Sequence, residues 1–174
     1  MIRQLFALEM DVPAGKLPGF YAQIIHKIGD QVQVYDRFDS TFILSSQDEL
    51  EKLERILSQY NMTTDSSELY QLPTSLQVPL LDDYGLKSIE GNTYLFAHLV
   101  SLFRLEPPLP VDPRKNDDPS DAWAVIEQLQ EHLIAKIPDP AGMIYVLDST
   151  HQDLAEHIAR KYNVPLQFIE QISQ

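Results

Sequence analysis

A chain of 174 residues with 44% hydrophobic and 22% charged side chains has the composition of a globular protein, long enough to bury a core without disulfide or metal staples. Cysteine is absent, which excludes disulfides, thiolate zinc sites and cysteine nucleophiles. The net charge of −13 is spread evenly, with 9, 9 and 8 acidic residues against 6, 4 and 3 basic ones in 1–60, 61–120 and 121–174, so no basic patch faces nucleic acid.

The first residues lack an unbroken apolar stretch followed by a small-residue cleavage site, so no signal peptide is read. The longest apolar run, Tyr94 to Leu105, falls short of the roughly twenty residues of a membrane span. The expectation is a cytoplasmic protein that does not enter membranes.

In chain order, Ile2 to Met10 alternates as a strand, with Ile2, Gln4, Phe6, Leu8 and Met10 on one side. Pro13 and Gly15 end it. Phe20, Ile24 and Ile28 make one stripe of a helix that opens at Leu17-Pro18-Gly19 and closes at Gly29-Asp30. Val32, Val34 and Asp36, then Thr41, Ile43 and Ser45, predict two strands joined by a hairpin at Asp36-Arg37-Phe38-Asp39-Ser40. Ser45 or Ser46 caps a second helix, with Asp48 and Glu49 in its first turn, and Asn61 stops it. A further strand is expected within Glu68 to Pro79. The order β-α-β-β-α-β is that of the split βαβ, ferredoxin-like arrangement.

Residues 80–91 read as loop. Asn92 or Thr93 is then placed as the cap of a buried helix over Tyr94 to Leu105. Five of the twelve prolines lie between Pro107 and Pro119, which predicts a semi-extended linker. Ser120 or Asp121 caps a helix whose stripe runs Trp123, Ile126, Leu129, Leu133 and Ile137, stopped by Pro138. A strand to Asp148, a helix from Gln152 with Leu154, Ile158 and Tyr162 along one edge, and a strand from Val164 to Ile172 complete the chain. The fold class is therefore α/β (α+β), with a ferredoxin-like part over 1–80. A helix and proline-rich linker follow over 81–119, then a C-terminal αβαβ part over 120–174, unless all three form one joint domain. No internal repeat is visible.

The polar turn Asp148-Ser149-Thr150-His151 between strand and helix is the first candidate for binding a ligand. It lacks the glycines of a phosphate cradle, and neither a dinucleotide fingerprint nor a P-loop occurs. Helix capping explains Ser149 and Thr150 more simply. The five histidines, His26, His98, His132, His151 and His157, show no metal-ligand spacing, and no nucleophile elbow is present. No catalytic residue, metal or cofactor is therefore assigned.

The remaining features suit protein contacts. Arg37 and Phe38 stand on a hairpin expected to be exposed. Pro107, Pro108 and Pro110 form a short stretch prone to polyproline II. The favoured function is a non-enzymatic binding or regulatory protein acting through protein–protein contacts, with a protein partner and with homodimers open to it. A small hydrolase with a His/Asp site at Asp148 and His151, and an acidic inhibitor of a nucleic-acid enzyme, are the alternatives.

Overall fold

Strand β1 (Arg3–Met10) alternates as its sequence requires. Leu8 and Met10 face one core, while Leu5 and Ala7 face another. The structure, a computed structural model, describes residues 2–11, 15, 18–106 and 121–169. Helix α1 (Pro18–Gln31) buries Ile24 and Ile28 and runs one residue beyond Gly29-Asp30. Strands β2 (Val34–Phe38) and β3 (Thr41–Leu44) form the expected hairpin, turning on Asp39, which takes φ 53°. Helix α2 (Gln47–Gln59) is capped by the Ser46 hydroxyl, which accepts from the Glu49 amide at 3.3 Å. Its buried stripe is Leu50, Leu53, Ile56 and Leu57.

Strand β4 (Thr64–Gln71) begins earlier than the sequence pattern suggested. A short helix α3 (Leu81–Tyr84) and strand β5 (Gly85–Lys87) occupy the stretch expected to be loop. The helix expected over Tyr94 to Leu105 is instead two strands, β6 (Thr93–Phe96) and β7 (Val100–Leu105). Helix α4 (Asp121–Leu129) passes through a 3₁₀ turn at Gln130–His132 into strand β8 (Leu133–Asp139), so the expected stripe does not continue as helix to Ile137. Strand β9 (Gly142–Asp148), helix α5 (Gln152–Lys161) and strand β10 (Leu166–Phe168) follow. The proline-rich linker, Ser120 and the end of the last expected strand lie outside the described residues.

The first sheet has the order β2-β3-β1-β4-β6-β5, the second β10-β7-β9-β8, and every pairing is antiparallel. The first contains the ferredoxin-like order β4-β1-β3-β2, with α1 and α2 packed on one face. The second repeats it. Read as β7-α4-β8-β9-α5-β10, it has the same strand order and carries α4 and α5 on one face. The correspondence reaches single residues. The ladder slips at Val34/Asp36 in β2 and at Leu133/Ala135 in β8, in both cases after the first paired residue. Tyr60-Asn61-Met62 and Tyr162-Asn163-Val164 end the second helix of each set alike. Asn61 and Asn163 both take φ 53°, and Met62 N and Val164 N donate back to Leu57 O and Ala159 O. This internal repeat is one that sequence reading missed.

The second sheet is covered on both faces. Phe103, Leu105, Tyr145 and Leu147 meet α4 and α5. Val100, Leu102, Ile137, Ile144 and Val146 pack with Ile2, Tyr70, Leu72 and Leu95 of the first sheet and its flanks.

Candidate functional site

On its helix-free face the first sheet curls over a small core of Leu5, Ala7, Ile43, Leu69, Leu86 and Tyr94. β2 and β5 stand at opposite ends of that sheet, yet side chains join the two ends. The Asp36 carboxylate on β2 is buried. It accepts from the Tyr94 hydroxyl at 2.6 Å and from Asn92 Nδ2 at 2.8 Å, and Ser88 bonds it as well. Its other oxygen accepts from the Arg37 amide at 2.7 Å. Burial pushes the Asp36 carboxyl upward, but the bonds from Ser88, Tyr94, Asn92 and the Arg37 amide outweigh it and hold the group below its ordinary value. Burial, then the bond to Asp36, drives the Tyr94 phenol far upward, so it stays a donor.

This seam holds exposed apolar groups around it. Among the described residues the large apolar side chains left exposed are Tyr35, Phe38, Leu80 and Ile89. Tyr35 and Phe38 lie on β2, and Ile89 follows Ser88 in the turn clasped to Asp36. Arg37 lies over the Phe42 ring, 5.0 Å from its centroid, and its Nε donates to Asp39 O at 2.9 Å. The sequence placed Arg37 and Phe38 on this hairpin. It offered no sign of Ile89 or of the Asp36 seam, because their partners lie more than fifty residues apart.

The turn at Asp148 is built differently. Asp148 ends β9, and a 3₁₀ turn over Ser149–His151 leads into α5. Asp148 Oδ1 accepts from the Thr150 amide at 2.8 Å and the Thr150 hydroxyl at 2.6 Å, and Oδ2 accepts from the Tyr84 hydroxyl at 2.9 Å. Those bonds, the Thr150 hydroxyl first, hold the Asp148 carboxyl below its ordinary value. The Ser149 hydroxyl donates to His98 O at 3.2 Å. His98 itself is exposed in the β6–β7 turn rather than buried in a helix. The His151 ring lies 4.8 Å from that of His132, with its Nδ1 buried and without a hydrogen-bond partner. The four residues are thus together, but both Asp148 oxygens are already engaged in capping the turn and tying it to Tyr84. Pro107, Pro108 and Pro110 lie outside the described residues.

Among the described residues no helix is long and apolar enough to cross a membrane, and no group of three or more His, Asp or Glu side chains is placed to hold a metal ion. No family model matches this chain, and no curated protein matches it. One solved structure similar to it is described as a "putative glycine cleavage system transcriptional repressor". The two share 12% identity over 98% of this chain and 99% of the other, with a TM-score of 0.20. A likeness of that degree carries no argument.

Proposed function

We propose that this protein is a non-enzymatic regulatory protein that holds a protein partner against β2 and the adjoining Ser88–Asn92 turn. The observation that carries this reading is the gathering of Tyr35, Phe38 and Ile89, three of the four exposed large apolar side chains among the described residues, around one hydrogen-bonded seam. Exposed aromatic side chains are enriched in binding hot spots. The seam ties together the strand and the turn that carry them, so they need little ordering when a partner arrives, which removes part of the entropic cost of association.

The test is recovery of partners by the tagged full chain from its native cells, compared with a Phe38→Glu, Ile89→Asp double variant. Both side chains are exposed, so the variant should keep the parent's circular dichroism and melting temperature. A stoichiometric partner that falls about tenfold or more in the variant is expected, the size of a hot-spot loss. A partner retained at full level, or none at all, would refute the reading.

A further inference from the structure

The register of the first sheet sets four side chains in one row. Phe38 pairs with Thr41, Thr41 with Glu9, and Glu9 with Asp65. Directly opposed residues point to the same side of a sheet. Here that side is the helix-free one, since Glu9 lies two residues on from Ala7 and four from Leu5, and Thr41 two residues before Ile43, spacings that share one face of a strand. With strands about 4.8 Å apart, the row is roughly 14 Å long. One step inward the next row, Asp36, Ile43 and Ala7, is buried, whereas Phe38, Glu9 and Asp65 are exposed. Beside it opens a recess of about 390 Å³ whose lining includes Glu9, Asp11, Ser40, Thr63 and Asp65. Among the described residues no lysine or arginine forms an ion pair with Glu9, Asp11 or Asp65.

We infer that this row is the docking line for a basic segment of another protein, one that sets an apolar side chain on Phe38 and lysine or arginine side chains on Glu9 and Asp65. The inference rests on the protein-contact reading above and adds the chemistry of the partner. Charge complementarity selects the occupant. A second copy of this chain carries the same net charge of −13 and would meet carboxylates with carboxylates. A basic segment is steered in by the whole surface and matched at the row. Phe38 supplies the anchor, and the two carboxylates supply the choice of partner, since exposed ion pairs contribute more to selectivity and encounter rate than to affinity.

A phage-displayed random peptide library panned on the immobilised full chain tests this, with Phe38→Ala and the Glu9→Gln, Asp65→Asn pair as counter-screens. Enriched peptides are expected to combine an aromatic or aliphatic residue with nearby lysine or arginine. They should lose about tenfold or more in affinity on Phe38→Ala, and about threefold or more, with a shallower salt dependence, on the carboxylate pair. Peptides that depend on Phe38 but are neutral or acidic would overturn the basic partner and leave the contact reading standing. Peptides indifferent to Phe38, or no enrichment, would overturn both. A dimer in light scattering that Phe38→Ala dissolves would overturn the inference in favour of a second copy.

Discussion

Asp36 is the residue on which the curled sheet turns. A carboxylate taken out of water is costly unless every lone pair finds a donor, and Asp36 gathers donors from Tyr94, Asn92, Ser88 and its own neighbour's amide. Asp36→Asn keeps the volume but sets an amide donor against two donors. It should lower the unfolding free energy by about 2 kcal/mol, the cost of leaving buried groups unsatisfied. The same bonds make the protein acid-sensitive. Because the folded-state carboxyl lies below its ordinary value, its contribution is complete above the unfolded-state value, near 3.8 for an aspartate. It is lost as pH falls through the lower folded value. Asp148 is shifted in the same direction and adds to the effect. Urea midpoints followed from about pH 6 to about pH 3 should fall less steeply for Asp36→Asn than for the parent. Parallel curves would show that Asp36 does not carry this linkage.

At the scale of elements, the two helix ends at Asn61 and Asn163 are a matched pair. Both residues sit in the left-handed region, where a side chain with a Cβ costs about 1–2 kcal/mol and asparagine suffers less than most. Leucine at either position should therefore cost about 1 kcal/mol in equilibrium unfolding, and glycine nothing measurable. A cost at one site and none at the other would show that the two ends are not equivalent. The stop at Asn61 is legible in the sequence, whereas its counterpart at Asn163 is not recognised there as a match. β1 was legible although it too faces two cores, because Arg3, Gln4 and Glu9 break its apolar run. β7 was not. Val100 and Leu102 face one core while Phe103 and Leu105 face another, and a strand buried on both faces shows an unbroken apolar run, which also suits a buried helix. β8 was hidden by coincidence, since Leu133 and Ile137 satisfy a spacing of four as readily as two spacings of two. With β7 and β8 both read as helix, the second βαββαβ set could not be seen. The proposed contact site was half legible. The hairpin order placed Phe38 near an exposed turn, but the row it joins depends on register with Glu9 and Asp65, which no local pattern encodes.

At the scale of the molecule, the question is whether the two βαββαβ sets behave as one. They share the core in which Ile2, Tyr70, Leu72 and Leu95 meet Val100, Leu102, Ile137, Ile144 and Val146. They are also tied by the bond from Tyr84 to Asp148. Apolar burial of that kind outweighs one hydrogen bond, so Tyr84→Phe should cost only about 1 kcal/mol. Loss of the shared core should cost more. Ile137 is fully buried within it, and Ile137→Ala should destabilise by about 3 kcal/mol. The decisive variant lies elsewhere. Leu53, fully buried on α2 among the residues of the first helical core, is separated from the single tryptophan, Trp123, which packs in the core of α4 and α5. If the shared core couples the two sets, Leu53→Ala, worth about 3 kcal/mol, must shift the urea transition seen by Trp123 fluorescence as far as the one seen by circular dichroism. If they unfold separately, the fluorescence midpoint will stay where it is in the parent while the dichroism splits into two steps. The burial of Leu72, Leu95, Val100 and Leu102 against one another favours the first outcome, because neither set could unfold without exposing the apolar face of its neighbour.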